Sequence, residues 1–191
     1  MQFTDLHIAG PFVVDLEPIE DDRGAFARTW CTREFASRGI DAPMVQSSVS
    51  VNHHKGTLRG MHFQGPPSRE GKLVRCTHGE VFDVIIDLRC DSPTYLQHET
   101  LTLSAENNLS IYIPPGFAHG FLTLMPDSVI LYMMNDYYQP ACSAGVRWND
   151  PVFSIPWPID VPSTISDRDR NWPDFDPAAF EDFKGYQMQF T

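Results

Sequence analysis

Over residues 72–134 apolar and polar positions alternate with a period of two, and turn residues break the alternation into short runs. In GEVFDVIIDLR (79–89), Phe82, Val84, Ile86 and Leu88 fall on one face and Asp83 and Asp87 on the other. That is the pattern of a half-buried strand. Leu101 and Leu103 alternate with Thr100 and Thr102, SAENN (104–108) reads as a turn, and Ile111 and Ile113 flank Tyr112. HGFLTL (119–124) and SVILYMM (128–134) follow, separated by the turn signal MPDS (125–128). Short strands joined by turns predict an all-β sandwich or jelly roll rather than βαβ units. An early helix is expected over 32–37 in TREFASRG, with Thr32 as its cap and Gly39 at its end. Beyond residue 148 the chain is rich in Pro and Asp. It reads as an arm, about 150–191, wrapping the barrel with a short helix near 177–183. No internal repeat divides the chain, so residues 1–191 are expected to form one domain with a few short peripheral helices.

The composition supports this picture. A chain of 191 residues, 42% hydrophobic and 20% charged, suits one ordinary globular domain. Sixteen prolines, twelve glycines and thirteen phenylalanines favour many short elements joined by tight turns. The formal net charge of −11 argues against nucleic acid or an anionic membrane as partner. A small anion can bind only where a few of the 14 Lys and Arg converge. Cys31, Cys76, Cys90 and Cys142 show no CxxC spacing and are expected to be unpaired thiols. The N-terminal stretch lacks a basic region followed by a long apolar run, and no segment approaches the roughly 18 apolar residues of a membrane span. A soluble, cytoplasmic protein is expected.

Two stretches place histidines in a strand context. GTLRGMHFQ carries His62 six residues after Gly56, and PPGFAHGF carries His119. Together they resemble the two signature motifs of the cupin superfamily, in which a small jelly roll holds a site inside its barrel. Metal-binding cupins usually supply HxH and a downstream Glu from the first motif and a His from the second. Here Gln64 stands at the second position of HxH, and no Glu follows at the usual short spacing. His62 and His119 alone make a poor zinc or iron site, and His7, His53, His54, His78 and His98 have no motif behind them. No metal is expected. A histidine that is not a ligand suits proton transfer, because its pKa lies near the working pH. The competing reading is a hydrogen-bonded core histidine. Arg59 lies three residues before His62, so simple alternation puts the two on opposite faces unless the intervening glycine permits a bulge. Lys72 and Arg75 begin the next strong strand. Several cations around one imidazole are costly unless they face solvent or an anion.

RGMHFQ, GKLVR, GEVFDVIIDLR, SPTY, LSAEN, IPPGFAHGF, LY, YY and GVRWNDP, in this order, resemble the dTDP-4-dehydrorhamnose 3,5-epimerase family over residues 22–169. The resemblance implies a cupin jelly roll, usually homodimeric, acting without cofactor on a nucleotide-linked 4-keto-6-deoxy sugar. It makes His62 the base, paired with Asp169 of SDRD, and Tyr132 the acid on the opposite face of the sugar. Lys72 matches the lysine of GKLVR, Arg59 the arginine of LRG, His119 the histidine of GFAHGF and Arg23 the arginine of DxRG. The chemistry fits these roles. A proton alpha to a ketone is too weakly acidic for an unaided histidine, so positive charge from Lys72, with His119 or Arg59, is needed where the enolate oxygen develops. An aspartate behind His62 orients the ring and stabilises its protonated form. Arg23, Arg59, Arg28 and Arg168 are candidates for the diphosphate. Each role has a plainer competitor: Tyr132 as a barrel-filling aromatic, Asp169 as a solvated charge, Arg23 and Arg28 as surface residues, and Tyr138 as packing rather than a platform for a base.

The recognition residues depart from the family. Gln46-Ser47-Ser48-Val49-Ser50 stands where rhamnose-pathway enzymes commonly carry Gln-Asp-Asn-His-Ser, and one additional residue precedes GTLRG. Gln46 and Ser48 remain substrate-binding candidates at that position. Arg28 replaces a usual glutamate, Arg168 a lysine, and Met133 the lysine after the tyrosine. The pattern is that of a sister branch, using another nucleotide or inverting one carbon instead of two. A 3-only or 5-only epimerase, a metal-dependent cupin and a non-catalytic sugar-nucleotide binder are the alternatives.

Overall fold

A computed structural model describes residues 1–186 of the chain; residues 187–191, the end of the expected arm, lie outside the described residues. The N-terminal part contains β1 (Gln2–Asp5), β2 (Phe12–Asp15), β3 (Ile19–Asp21), β4 (Gly24–Phe26) and helix α1 (Thr32–Ala36). The centre runs through β5 (Gln46–Asn52), β6 (Thr57–Gln64), β7 (Lys72–His78), β8 (Glu80–Asp87) and β9 (His98–Ser104). It continues with β10 (Ser110–Ile113), β11 (Phe117–Thr123) and β12 (Ser128–Met134). The remainder holds β13 (Ser143–Gly145), β14 (Thr164–Ile165), helix α2 (Asp167–Arg170) and a 3₁₀ turn (Pro177–Phe180). One sheet has the order β1-β2-β10-β7-β12-β5 and the other β13-β6-β11-β8-β9, with β14 added parallel to β6. Every other pairing is antiparallel, and β3 and β4 form a separate hairpin. Two such sheets, facing one another, are the jelly roll that the sequence predicts.

Side-chain alternation sorts the core into layers. Val74, Ile85, Ile111, Phe121 and Ile130 meet between the sheets and fill the barrel. On the outer face of the second sheet, Phe63, Val84, Ile86 and Leu88 pack beneath Phe153, Phe180 and Phe183 of the arm. On the outer face of the first sheet, Phe12, Val14 and Tyr112 are covered by Phe35 of α1. This corrects the reading of β8 as half-buried. The face with Phe82, Val84 and Ile86 is the outer one, covered by the arm, whereas Asp83 and Asp87 point inward and are fully buried. The alternation itself is right. The arm removes solvent from the face that would otherwise be wet, and closure of the barrel removes it from the other.

Two local details also differ. Thr32 is the first residue of α1 rather than its cap; extended Cys31 precedes it and makes no side-chain capping bond, while Gly39, at φ +76°, follows the helix end as expected. Near residue 177 the arm forms a 3₁₀ turn opened by Asp176, whose carboxylate accepts from the Ala178 amide. Among the described residues no helix is long and apolar enough to cross a membrane, and all four cysteines are free.

Candidate active site

The site forms where β6 crosses β11. His119 is directly opposite His62 in the ladder, and Phe121 is opposite Arg59, so β6 spends three residues where β11 spends two. The extra residue is the expected bulge. It turns Arg59 and His62 to the same side, toward the barrel interior. Gly60 makes it possible: its φ is +132°, and a Cβ there would lie 2.5 Å from the Cα of Gly120 on β11. Any larger residue at either position would separate the strands that carry the two histidines.

His62 is oriented from behind. Its Nε2 is 2.7 Å from Oδ1 of Asp169, and the Gly60 amide donates to Oδ2 at 3.2 Å. Asp169 is presented by α2, a four-residue helix missed in the sequence because so short a turn leaves no periodic signal. Ser166 caps that helix, its hydroxyl accepting from the Asp169 amide, and β14 anchors the segment beside Thr57 and Leu58. Burial pushes the Asp169 carboxyl up, but the hydrogen bond and charge of His62, the Gly60 amide and Ser166 outweigh it and hold the group below its usual range. Asp169 is therefore a nearly buried anion paired with His62, not a solvated surface charge. With Nε2 engaged, Nδ1 is the nitrogen of His62 left to take a proton. The His62 side chain is 41% exposed, against 6% for Asp169. A cavity of about 400 Å³ opens here, lined by Arg59, His62, Arg168 and Asp169.

The opposing sheet supplies the phenol. Tyr132 lies opposite Ser48 and Val74 and packs on the barrel core. Its ring meets that of His119 edge to face, 6.1 Å between centroids. Burial, reinforced by the Asp83 carboxylate and opposed by the Arg59 guanidinium, pushes the phenol well above its ordinary range, so it stays protonated. His119 is held by Asp83, Nε2 to Oδ2 2.9 Å, with both side chains almost completely buried. Burial raises the Asp83 carboxyl, and His119 only partly offsets this. Asp83 was read in the sequence only as part of the polar face of a half-buried strand; an acid between apolar neighbours was the signal that could have pointed to a buried partner. Asn52 left no comparable signal; its Oδ1 accepts from Arg59 Nε at 2.7 Å, across the open side between β5 and β6.

Lys72 shares the inner face of its sheet with Tyr132 and pairs with Glu70 at 3.0 Å. Gln46 sits at the same level, opposite Met134, and its side-chain oxygen accepts from the Tyr138 amide at 2.6 Å. The Tyr138 side chain is exposed. Arg168 donates to Ser143 and lies over the Trp172 ring at 5.1 Å. Arg23 and Arg28 are not brought to this cavity. They are exposed in and beyond the β3–β4 hairpin, paired with Asp21 and Glu34. A larger apolar hollow of about 530 Å³ between β13 and the arm contains none of the candidate residues. Among the described residues no three of His, Cys, Asp and Glu converge as metal ligands, and the Nε2 atoms of both motif histidines are taken by carboxylates.

A jelly roll with two motif histidines turned into its barrel defines a cupin, here one whose histidines are tied to carboxylates rather than to each other. Residues 5–177 match the sequence profile of the dTDP-4-dehydrorhamnose 3,5-epimerase family, and the chain belongs to that family. It is 39% identical to the dTDP-4-dehydrorhamnose 3,5-epimerase of Sinorhizobium fredii, covering 91% of this chain and 89% of that one. The crystal structure of the Bacillus anthracis enzyme with TDP and PPi bound superposes with a TM-score of 0.88 at 37% identity, over 91% of this chain and 99% of that one. A 3′-monoepimerase from Streptomyces bikiniensis in complex with dTDP-quinovose superposes at 0.84 and 33% identity, over 90% of this chain and 86% of that one.

Proposed function

We propose that this chain epimerises a thymidine-diphosphate 4-keto-6-deoxyhexose at C3, C5 or both, by proton transfer through an enolate. The observation that carries the reading is half-exposed His62 on one sheet, backed by Asp169, set against the partly buried, protonated Tyr132 on the other. His62 takes the proton alpha to the ketone. Lys72, with His119 and Arg59, supplies positive or hydrogen-bonding character where the enolate oxygen forms. Tyr132 returns a proton from the opposite face. Arg59 and Arg168, both lining the cavity, suit the diphosphate, and Gln46, Ser48 and Tyr138 suit the nucleoside end. The chemistry calls for no cofactor. Inversion of a single carbon is the second reading, favoured by the altered stretch at 46–50 and by the likeness to a 3′-monoepimerase.

A homodimer is part of this proposal. Val49 and Val51 on edge strand β5 are exposed, as are Ile19 and Phe26 of the hairpin at 73% and 75%. A second copy would cover such apolar, edge-strand surface. Arg23 lies in the turn of that hairpin and Arg28 just beyond it, so their part in substrate binding rests on the assembled dimer. Free thiols and a nucleotide-sugar substrate support a cytoplasmic location.

The test is proton NMR in heavy water with dTDP-4-keto-6-deoxyglucose, with sedimentation run alongside. Deuterium at C3, C5 or both is expected, and its distribution decides between one and two inverted carbons. Tight binding of the sugar nucleotide without any exchange would overturn the catalytic reading in favour of a binding protein.

A further inference from the structure

Lys72 does not stand alone in the barrel. Its ammonium contacts Oε2 of Glu70 at 3.0 Å, and both side chains are largely buried, 16% and 9% exposed. The other oxygen of Glu70 accepts from Gln64 Nε2 at 3.0 Å. Gln64, itself buried, also donates to the Tyr137 carbonyl at 3.2 Å and accepts from the Gln139 amide at 2.6 Å. The same loop is tied to the segment that carries Glu70 by further bonds. Asp136 accepts from the Ser68 hydroxyl and the Arg69 amide, and Asn135 accepts from the Gly71 amide. A continuous chain of polar contacts therefore runs from Lys72 through Glu70 and Gln64 to residues 137–139, where the Tyr138 amide meets Gln46.

Burying an ion pair of this kind is costly whatever its purpose. A lysine placed for oxyanion stabilisation has to be charged and fixed before the substrate arrives, since reorganisation during reaction wastes the interaction. A largely buried ammonium without a counter-charge is strongly disfavoured. Lysine also has a flexible stem, and only its contacts decide where the charge sits. Glu70 answers both needs with one carboxylate. It sets a counter-charge beside the ammonium and is itself fixed by Gln64.

Resting on the reading of Lys72 given above, we propose that Glu70 is the positioning residue of Lys72, and that Gln64 ties this pair to the 137–139 loop so that the cation and the substrate-facing loop are set as one unit. Glu70 touches neither the reacting carbon nor the oxyanion; it acts through the lysine.

The experiment is a double-mutant cycle with Glu70→Gln, Glu70→Ala and Lys72→Met, reading kcat and KM for epimerisation and for solvent exchange. Circular dichroism and thermal melts on each variant report the fold. Glu70→Ala is expected to lower kcat about tenfold or more with KM changed less than about threefold, and Glu70→Gln, which keeps the bond to Gln64 in shape but loses the charge, to fall between it and the parent. In the Lys72→Met background neither substitution at Glu70 should lower kcat further. An unchanged kcat in Glu70→Gln, or a full additional loss at Glu70 on top of Lys72→Met, overturns the proposal. Should Glu70→Ala not fold, the near-isosteric Glu70→Gln carries the same cycle. Parent-like kcat in Lys72→Met alone sinks instead the role given to Lys72, so the two failures are distinguishable.

Discussion

The barrel contains the same pair of residues twice, in adjacent strands and in different solvent. His62–Asp169 and His119–Asp83 are both His–carboxylate contacts, at 2.7 and 2.9 Å, on histidines that face one another in the β6–β11 ladder. In the first, the imidazole is half-open to a cavity and its aspartate is held below the usual range by His62, the Gly60 amide and Ser166. In the second, neither member meets water, and burial raises the aspartate instead. Geometry alone would assign the two pairs one role. Exposure separates them: a base must exchange its proton with substrate and solvent, whereas a fixed hydrogen-bonding group is most effective where water is excluded.

Substitutions at the two histidines should break this symmetry most sharply. His62→Ala is expected to slow solvent deuterium exchange by about 10³-fold or more, with a smaller fall in the urea midpoint than His119→Ala, because the ring is half-exposed and Asp169 keeps the Gly60 amide. His119→Ala should do the reverse in proportion. It leaves a buried, unpaired carboxylate at Asp83 and should cost about 3 kcal/mol or more of stability by urea denaturation. Equal loss of stability in both variants would mean that exposure does not divide their roles. Asp169→Asn comes next, with exchange on the order of 10²-fold slower as the imidazolium loses its counter-charge; NMR exchange rates at fixed substrate check this.

Smaller in size but sharper in sign is the pH dependence of stability. A carboxyl whose pKa is depressed on folding stabilises the native state above its unfolded value, and that contribution is lost as pH falls through the folded value. This is the case of Asp169, whose reference value is 3.8. Asp83 is raised, so its contribution is present below 3.8 and is lost as pH rises through the folded value. Asp169→Asn should therefore lose less stability than the parent on acidification below pH 4. Asp83→Asn should gain on the parent as pH rises from that region toward neutrality. Melts across pH 3–7 give both slopes, and slopes of the same sign would contradict the opposed environments.

Much of this was legible residue by residue. Period-two alternation in β8 sorted Phe82, Val84 and Ile86 from Asp83 and Asp87 correctly, yet local pattern carries no information on what covers each face. Gly60 between Arg59 and His62 pointed to the bulge that turns both inward. The SDRD stretch flagged Asp169, but its helix and Ser166 cap were invisible because four residues give no periodicity. Glu70 went unnoticed as an isolated acid in a loop; its contacts with Lys72 and Gln64 exist only in the folded chain.

By itself the sequence determined the all-β order of elements, the two histidine motifs and the family, because strand alternation and motif spacing are local properties of the chain. The resemblance had already paired Asp169 with His62, 107 residues away, but that Asp83 serves His119, 36 residues away, was decided only by the closed barrel. Closure also set how much water each pair sees, and with it the direction of each acid's shift, since desolvation is a property of everything packed around a group rather than of its neighbours in sequence.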